Sequence, residues 1–551
     1  MENNHTLQSL LRDSFIKYSS EPAIGFVDGK VWTYSELQSK VEAQLFRLAQ
    51  TGIKPGDKVA IVGASSPNWV VAYFSILCHG AIAVPVLPDF TAQEIENVLL
   101  HSEATMIFVS EKLHTKITET VFQKVEHFVL IENLGAIPKE LETSQLKQVE
   151  AFQGIGSKEI ASEVMPDDLA SIIYTSGTTG GSKGVMLSHK NLYTNIQQCA
   201  KVEPLGKGEV FLSILPLSHT LENTVGLLLP IAFGAFVNYL DRPPTASVLV
   251  PALKKVKPTY LLSVPLVIEK IYKLQIKAKF NRSPVVRRLY RIPLIRKKLH
   301  RIAGKRLYET FGGRLKFFGI GGAKLDASTE RFLSEAGFPY AIGYGLTETA
   351  PFVAGDGVKY TRFQSTGRPV DNVEMKIHKP DKETGEGEIW VRGDNIMQGY
   401  YKEPELTSQV LTKDRWFRTG DLGFLDKENY LYIKGRLKNV IVGSSGENIY
   451  PEEIESVINR FSHVLESVVV DRDGKLVALV HFNFEEIEKQ LHHMKDEAKK
   501  NLEERTEELV RELHAFVNHR VNNFSKLQTV VAHTDPFEKT ATKKIKRYIY
   551  K

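Results

Sequence analysis

The sequence is poor in cysteine and has no long uninterrupted hydrophobic run. Its two cysteines, Cys78 and Cys199, lie far apart among apolar or neutral residues, which favours neither a disulfide framework nor a Cys/His zinc cluster. Two apolar stretches, Trp69–Pro88 and Thr224–Leu240, approach the length of a membrane span. Because prolines and polar residues interrupt both, we interpret them as buried helix and strand.

Several other protein classes are excluded by what is absent. The N-terminus, Met1 to Phe15, lacks the apolar core of a secretory signal, and with so little cysteine we predict a cytoplasmic protein. The net charge of +6 is modest for 551 residues, so we predict no nucleic-acid partner. Hydrophobic content of 42% without short repeats excludes collagen-like, disordered and solenoid chains.

The order of hydrophobic patterns predicts the domain organisation. Short Val/Ile-rich runs, such as Lys58–Val62 and Ser171–Tyr174, alternate with amphipathic helical patterns, which is typical of doubly wound α/β sheets. Residues Arg362–Arg436 change to Gly-punctuated short strands and predict a β-barrel-like section. We predict a large domain at 1–434, with two α/β subdomains and this β section, and a small mobile α+β domain at 435–551.

A glycine-rich loop follows one of the predicted buried strands. The segment Tyr174–Gly184 reads YTSGTTGGSKG and combines four glycines, five serine or threonine residues and Lys183. Backbone N–H groups in such a loop can approach oxyanions, and the lysine adds a cation. It predicts a phosphate-binding loop, although the Walker A template fails at Ser182 and Gly184.

This loop resembles the signature loop of the adenylate-forming superfamily, which includes acyl-CoA synthetases, peptide-synthetase adenylation domains and firefly luciferase. Further segments resemble that family in the same order along nearly the whole chain. The resemblance implies binding of ATP, Mg²⁺ and coenzyme A. From the loop it implies these ATP-binding residues: Thr175, Ser176, Gly177, Thr178, Thr179, Gly180 and Lys183, of which Lys183 is also catalytic.

Two further segments resemble nucleotide-binding motifs of the family. In GYGLTET, Gly343–Thr349, the resemblance implies Tyr344 and Gly345 near adenine, Thr347 on the α-phosphate, and Glu348 as the magnesium ligand. In WFRTGDLG, Trp416–Gly423, it implies Asp421 on the ribose hydroxyls, where a carboxylate can accept two hydrogen bonds.

The segment from Ile433 to Glu455 resembles the junction of the two family domains. The resemblance implies Arg436 at the ribose and Lys438 as the hinge. It also implies a loop that approaches the pantetheine of coenzyme A. This loop is one residue longer than the commoner form, so no individual contact is assigned within Gly443, Ser444, Ser445 and Gly446.

Near the C-terminus, EKTATKKIKR, Glu538–Arg547, resembles the segment that carries the adenylation lysine. The resemblance places that catalytic and ATP-binding lysine at Lys544. A cation there would stabilise charge developing between carboxylate and α-phosphate. Lys543 stands where the family usually has glycine and is an adjacent alternative, and a basic tail is a third reading.

Three segments concern the acid that is activated. LPLSHTLE, Leu215–Glu222, resembles the segment whose histidine lines the acyl pocket, which implies His219, although a core or capping histidine is an alternative. FFGIGGAK, Phe317–Lys324, matches the strand and turn against adenine and the acyl channel. From this turn and from SVPLVIEKIY, Ser263–Tyr272, the resemblance implies acyl contacts at Val264, Gly319 and Gly321, and nucleotide contacts at Gly322 and Ala323.

The segment SVPLVIEKIY resembles long-chain fatty acyl-CoA synthetases in particular. After it, Lys270–Arg306 is strongly basic, contains no Asp or Glu, and has apolar residues interleaved. Such a stretch could lie on an anionic membrane surface, as in a peripheral membrane protein, or it could form a solvated helical face. Pro284 and Pro293 interrupt any single long helix.

The predicted reaction is ATP-dependent activation of a fatty acid to acyl-AMP, followed by transfer to coenzyme A. No Ser/His/Asp or Cys/His constellation suggests a covalent enzyme intermediate. Three alternatives remain open: a fatty acyl-AMP ligase or acyl carrier protein synthetase, a peptide-synthetase adenylation domain, and a degenerate scaffold.

Overall fold

The computed structural model describes residues 5–139, 141–152, 163–176, 182–281, 284–442, 447–492, 502–540 and 545–551. Up to residue 152 its elements are α1 (Leu7–Lys17), β1 (Pro22–Phe26), β2 (Val31–Thr33), α2 (Tyr34–Gln50), β3 (Lys58–Val62), α3 (Pro67–His79), β4 (Ile82–Val86), α4 (Ala92–Ser102), β5 (Met106–Val109), α5 (Glu111–His114), α6 (Glu119–Lys124), β6 (His127–Leu130) and a 3₁₀ turn at Thr143–Gln148.

The middle of the chain, from residue 163 to 355, continues the alternation of strand and helix. Its elements are β7 (Leu169–Ser176), β8 (Ser182–Ser188), α7 (His189–Val202), β9 (Val210–Ser213), a π-helix (Glu222–Leu228), α8 (Leu229–Ala232), β10 (Phe236–Tyr239), α9 (Ala246–Val256), β11 (Tyr260–Ser263), α10 (Pro265–Ile271), a second π-helix (Tyr272–Lys277), α11 (Ala278–Asn281), α12 (Pro284–Leu289), α13 (Pro293–Thr310), β12 (Phe317–Ile320), α14 (Ala327–Ala336), β13 (Tyr340–Gly345), a 3₁₀ turn (Thr347–Thr349) and β14 (Phe352–Gly355).

The remaining part contains mostly strands and then a small group of mixed elements. These are a 3₁₀ turn (Val358–Tyr360), β15 (Glu374–His378), β16 (Gly387–Arg392), β17 (Gly399–Tyr400), α15 (Pro404–Val410), β18 (Phe417–Leu425), β19 (Leu431–Arg436), a 3₁₀ turn (Leu437–Asn439), β20 (Ile441–Val442), β21 (Asn448–Ile449), α16 (Pro451–Ile458), β22 (Val464–Arg472), β23 (Lys475–Phe482), α17 (Phe484–His492), α18 (Leu502–Asn518), a 3₁₀ turn (Asn523–Ser525), β24 (Thr529–Ala532) and a 3₁₀ turn (Arg547–Ile549).

Two large sheets form the frame of the molecule. In the described chain, the eight-stranded sheet has the order β14-β13-β12-β11-β9-β10-β1-β2, and the seven-stranded sheet has the order β17-β8-β7-β4-β3-β5-β6. Their central strands are parallel, whereas antiparallel strands stand at both edges of the eight-stranded sheet and at the β17 edge of the seven-stranded sheet. The predicted doubly wound α/β class is thereby confirmed.

The eight-stranded sheet reverses its winding direction beside β9. From β9 the chain passes to the neighbouring strand β10 on one side and then to β11 on the other side. The crevice outside the carboxyl ends of β9 and β11 is therefore a topological switch point, which is where open α/β sheets bind ligands.

Helix α3 lies between the two sheets. It packs against β1 of one sheet and against β3 and β4 of the other. Ser66 caps its first turn by accepting the Trp69 N–H, and it ends at Gly80, whose φ of 82° suits glycine. Trp69, Tyr73 and Phe74 are fully buried in the largest hydrophobic cluster. The first apolar stretch is therefore buried helix and strand, as expected.

The second stretch, Thr224–Leu240, is likewise built of helix and the buried strand β10. Among the residues that the structure describes, we find no helix with the length and apolarity needed to cross a membrane. The predicted break at the prolines is also confirmed, since α12 begins at Pro284 and α13 at Pro293.

The predicted β-barrel-like section, Arg362–Arg436, contains a four-stranded antiparallel sheet in the order β15-β16-β18-β19. After it, β22 and β23 pair antiparallel, β24 adds in parallel, and α16 and α18 contribute to their hydrophobic cluster. Apolar residues at near-helical spacing between Ile487 and Val517 predict a long helix after these strands. The structure describes two helices in this range, α17 and α18. Met494 and Ala498 of that pattern lie outside the described residues.

Candidate active site

The glycine-rich loop joins two antiparallel strands of the seven-stranded sheet. Strands β7 and β8 pair with Thr175 opposite Lys183 and Ser176 opposite Ser182. The predicted contacts Gly177, Thr178, Thr179 and Gly180 lie outside the described residues. Lys183 is half-buried on β8, so this strand aligns the cation next to the loop.

Tyr400 links Lys183 to the predicted magnesium ligand. The Lys183 Nζ lies 5.4 Å from the centre of the Tyr400 ring, and the Tyr400 hydroxyl donates to Glu348 Oε1 at 2.8 Å. Strand β17 holds Tyr400 against β8, with Tyr400 opposite Val185. Sequence reasoning missed Tyr400, because nothing in its local pattern marks a tyrosine that bridges two charged residues 217 and 52 positions away along the chain.

The backbone around Glu348 is fixed from several sides. Met397 N–H donates to the Glu348 carbonyl at 2.9 Å, and Leu346 N–H donates to the Thr349 hydroxyl at 3.0 Å. Gly345 has no room for a side chain, because a Cβ there would lie 1.7 Å from the Pro351 carbonyl oxygen. Thr347 and Glu348 are both half-buried at this turn, where they can meet a ligand.

A second cluster joins three of the predicted nucleotide residues. Asp421 and Arg436 stand opposite each other in the pairing of β18 with β19. Arg436 Nε lies 2.7 Å from Asp421 Oδ1, and the Tyr344 hydroxyl donates to Asp421 Oδ2 at 2.7 Å. Asp421 is buried whereas the Arg436 side chain is 46% exposed, so the guanidinium remains accessible to a ligand.

Electrostatic coupling shows that these clusters are neighbours. Burial and the Glu348 carboxylate raise the pKa of Tyr400, and the Arg436 cation opposes that rise. Partial burial and the Lys438 cation lower the pKa of Lys183, whereas Glu348 and Glu403 oppose the change. Lys438, exposed in a 3₁₀ turn, therefore lies near Lys183 in this arrangement.

The predicted acyl-binding residues surround the turn after β12. A Cβ on Gly321 would lie 3.3 Å from Leu221 Cδ2, and one on Gly322 would lie 3.8 Å from Val264 Cγ1. Leu221 is a wall residue that the sequence did not single out. Gly322 adopts a φ of 87° and Ala323 after it is exposed.

Two predicted acyl residues also have structural explanations. His219 Nδ1 accepts the Leu221 N–H at 3.3 Å, so this half-buried histidine contributes to the start of a helix, as the capping alternative expects. Gly319 is buried in β12, where a Cβ would meet Phe317 and Leu262, so packing accounts for that glycine.

Two further groups of predicted functional residues fall outside the described residues. They concern the adenylation lysine Lys544 with its neighbour Lys543, and the coenzyme A loop Gly443, Ser444, Ser445 and Gly446. Three positions after Lys544 along the chain, Arg547 forms an ion pair with Glu455 at 2.5 Å. Strand β20 precedes the loop and pairs with β21 after it.

Comparison with known proteins identifies relatives over most of the chain. The chain is 30% identical over 476 residues to a long-chain-fatty-acid–CoA ligase, FadD15, of Mycobacterium bovis, covering 81% of this chain and 76% of the relative. It is 29% identical over 517 residues to the chloroplastic long-chain-fatty-acid–[acyl-carrier-protein] ligase AEE15 of Arabidopsis thaliana, covering 80% of this chain and 70% of the relative.

Solved structures share the fold over the whole chain. ATP-bound MatB from Rhodopseudomonas palustris has a TM-score of 0.77 at 23% identity, with 98% of each chain covered. MenE from Bacillus subtilis, in complex with ATP and magnesium, has a TM-score of 0.74 at 22% identity, with 98% of each chain covered. The family model described as AMP-binding enzyme matches residues 12–401. The chain therefore belongs to the AMP-binding enzyme family.

Proposed function

We propose that this protein activates a long-chain fatty acid with ATP and transfers the acyl group to coenzyme A. In the first step a carboxylate oxygen attacks the α-phosphorus, the bond to the β-phosphate breaks, and pyrophosphate leaves. In the second step the coenzyme A thiol attacks the acyl carbon and AMP leaves. The main support is that Asp421 contacts both Tyr344 and Arg436. This cluster lies beside Lys183 and Glu348.

Each residue of this site has a role that suits its chemistry. Asp421 would accept from the ribose hydroxyls with Arg436 beside it, and Tyr344 would lie near adenine. Thr347, Lys183 and the glycine-rich loop would contact the phosphates. The protein thus contributes position and charge, and Lys544 or Lys543 would add a cation at the reacting α-phosphate.

Glu348 is suited to hold Mg²⁺. Magnesium prefers carboxylate and phosphate oxygens and commonly takes one or two protein carboxylates. Glu348 is half-buried with one oxygen bonded to Tyr400, and the described residues contain no group of three or more Asp, Glu, His or Cys that could form a complete protein cage. Bound magnesium would neutralise phosphate charge, with phosphate and water oxygens completing its coordination.

Pyrophosphate release tests this function directly. Purified protein is mixed with ATP, Mg²⁺ and fatty acids of graded length, each with and without coenzyme A. We expect release and acyl-CoA formation with a long-chain optimum. Amino-acid-dependent release would instead indicate a peptide-synthetase adenylation domain, and the absence of release with every acid would contradict the proposal and favour a scaffold.

A carrier-protein acceptor is the second candidate. It is favoured by the 29% identity to the Arabidopsis relative named for an acyl-carrier-protein ligase. Both candidates share every ATP-binding residue and differ only in the acceptor thiol. Release of pyrophosphate with no acyl-CoA, and acyl transfer to pantetheinylated carrier protein, would select this alternative; transfer to neither acceptor would select an acyl-AMP ligase.

We also propose peripheral contact with an anionic membrane through the basic helices α12 and α13. The surface between residues 285 and 306 exposes apolar side chains among cations. Leu294 is 82% exposed and Val285 is 67% exposed. The exposed cations are Arg287, Arg288, Arg291, Lys297, Lys298, Arg301, Lys305 and Arg306. Each such cation adds about 1 kcal/mol of attraction to an anionic surface.

Vesicle flotation tests this contact. The protein is mixed with vesicles that contain anionic lipid and with neutral vesicles, and we expect flotation only with the former. Changing Arg287, Arg288, Lys297 and Lys298 to Glu should abolish it. A matched variant changes four exposed lysines elsewhere to Glu: Lys112, Lys124, Lys139 and Lys147. Equal loss in both variants would contradict a local surface, as would no flotation of the unmodified protein.

A further inference from the structure

Three buried polar side chains meet at the carboxyl ends of β9 and β10. Ser213 is the last residue of β9, Tyr239 is the last residue of β10, and Glu222 begins the π-helix between these strands. Their exposed fractions are 4%, 0% and 1%. π-Helical segments occur frequently at functional sites, where they redirect a side chain.

None of the three makes full use of its hydrogen-bonding groups. Ser213 Oγ, Glu222 Oε2 and Tyr239 OH are buried without a hydrogen-bond partner of normal geometry among the described residues. Buried polar atoms are nearly always paired, because leaving one unpaired costs about 1–3 kcal/mol. Three such atoms together therefore indicate a place for a ligand atom.

Strand register places two of the three groups side by side, because Tyr239 stands opposite Ser213 in the pairing of β10 with β9, and electrostatics supports the proximity of Glu222. Burial raises the pKa of Glu222 to about 8, and the nearby Ser213 hydroxyl opposes that rise. Burial and the Glu222 carboxylate together raise the pKa of Tyr239. At neutral pH the carboxyl is therefore mainly a neutral acid, which can donate one hydrogen bond and accept another.

Gly226 makes room for this carboxyl group. A Cβ on Gly226 would lie 2.6 Å from Glu222 Cδ and 2.7 Å from Oε1. The φ of Gly226 is not in the left-handed region, so space rather than backbone conformation explains the glycine. The carboxyl is thus accommodated by the turn of the π-helix that follows it.

The cluster adjoins the candidate acyl site. Leu221, directly before Glu222, faces Gly321 in the turn after β12. The π-helix also packs against β9 and β11, the strands on either side of the topological switch point. An acyl chain in this crevice would pass close to the three polar groups.

We propose that Ser213, Glu222 and Tyr239 form a binding site for one uncharged oxygen atom, supplied by a hydroxylated acyl chain or by an internal water molecule. Two hydroxyls and a carboxylic acid offer both donors and acceptors to such an atom. Charged ligands suit the site less well, because burying an ion among neutral groups is costly. The acyl source rests on the proposed fatty-acid activation, whereas the water source does not.

The first arm of the test measures kcat/KM for an unsubstituted long-chain acid, its positional monohydroxy isomers, and the matching methyl-branched isomers. An acyl source predicts that one hydroxy isomer exceeds its methyl counterpart by about tenfold or more. Glu222→Gln, which keeps a neutral hydrogen-bonding group, should retain this preference. Glu222→Leu and Tyr239→Phe should lose this preference but keep their kcat/KM for the unsubstituted acid. The matched control is Glu209→Gln. Glu209 directly precedes β9 and forms an ion pair with Lys316.

The second arm is a high-resolution crystal structure of the full chain without added acid. A water source predicts electron density for a water molecule within hydrogen-bonding distance of Ser213 Oγ, Glu222 Oε2 and Tyr239 OH. This density should be weaker in Tyr239→Phe. If no isomer is preferred and the space is empty, or the side chains bond directly to one another, the proposal is overturned. Inactivity with every acid would refute the proposed function, yet the second arm would still decide the oxygen site.

Discussion

At the scale of single residues, Tyr400 connects the cation and the carboxylate of the candidate site. Tyr400→Phe removes the hydroxyl that donates to Glu348 but keeps the ring near Lys183. Because a hydrogen bond to a carboxylate orients it, we expect kcat for pyrophosphate release to fall about tenfold and the magnesium requirement to rise. Initial rates across a magnesium titration would measure both.

The neighbouring tyrosine provides a matched control. The Tyr401 hydroxyl donates to Glu103 at 3.1 Å, away from Glu348. Tyr401→Phe should therefore leave the magnesium titration unchanged. If both variants lose activity equally, the effect of Tyr400→Phe is on packing of β17 and the assigned orienting role is wrong.

The two adjacent lysines near the C-terminus give a second prediction at this scale. If Lys544 is the adenylation lysine, Lys544→Ala should slow acyl-AMP formation by about 10²–10³ but spare thioester formation from supplied acyl-AMP. Lys543→Ala should affect neither half-reaction. Separate assays of the two half-reactions would test this, and the reverse pattern would assign the role to Lys543.

Glu222 gives a prediction about pH. Its pKa is about 8 in the folded protein, well above that of an exposed glutamate, so the folded state holds a proton that the unfolded state has lost. Stability should therefore fall as pH rises from about 4.5 to about 8, by a few kcal/mol, and level off above that range. Ser213 and Tyr239 face the group, and neither adds a counter-charge.

The isosteric Glu222→Gln variant isolates this contribution. It should match the unmodified protein in acid and exceed its apparent melting temperature increasingly toward about pH 8. Thermal unfolding at a series of pH values would measure the difference. A constant difference between the two proteins at every pH would show that Glu222 does not titrate in this way.

At the scale of elements, the junction between β13 and the following turn depends on the absence of one side chain. Gly345→Ala would place a Cβ 1.7 Å from the Pro351 carbonyl oxygen. Because both atoms belong to or adjoin the backbone, this steric clash can be relieved only by displacing the turn that carries Glu348. We expect a loss of at least about 3 kcal/mol of stability, together with most of the activity.

Gly206 is the matched site for this substitution. A Cβ on Gly206 would meet nothing within 4 Å, and its φ is not in the left-handed region. Gly206→Ala should leave melting temperature and pyrophosphate release close to those of the unmodified protein. Wild-type behaviour of Gly345→Ala would show that the turn can relax at little cost.

The helix and strand patterns at this scale were largely predictable. The run Lys58–Val62 is β3 without adjustment, and Ser171–Tyr174 is the centre of β7. Capping residues beside apolar runs mark helix ends locally, as Thr91 and Glu94 do for α4. Two π-helices were not foreseen, because their wider turns leave no distinctive period in so short a segment.

At the scale of the whole molecule, polar contacts join the parts before and after the predicted boundary at 434/435. The Tyr450 hydroxyl donates to Glu386 at 2.9 Å, and Lys277 Nζ donates to the Arg460 carbonyl at 3.2 Å. Lys434 pairs with both Glu386 and Glu453. We propose that these contacts hold one of two orientations of the small domain about Lys438.

Removing two of these contacts should change the balance between the half-reactions. If the small domain turns between the steps, Tyr450→Phe combined with Glu453→Gln should shift the two rates in opposite directions by a few fold. Separate assays of acyl-AMP formation and thioester formation would measure this. The control is Glu374→Gln, which breaks an exposed pair with Arg392 inside the β sheet. Parallel losses in both steps would contradict a shift between orientations.

The sequence by itself determined the α/β class, the family resemblance and most strand positions, because these depend on patterns within short windows. It also identified Tyr344, Asp421 and Arg436 singly. Only the tertiary structure decided that they bond to one another, since strand order and register bring distant segments together.

The same reason explains what sequence reasoning missed. Tyr400 becomes important through the pairing of β17 with β8, and Glu222 becomes a neutral acid only when packing removes it from water. The local sequence around a glutamate or a tyrosine reveals neither its contact partners nor its burial. Partners and burial arise from the assembled sheets, and they decide what each side chain can do.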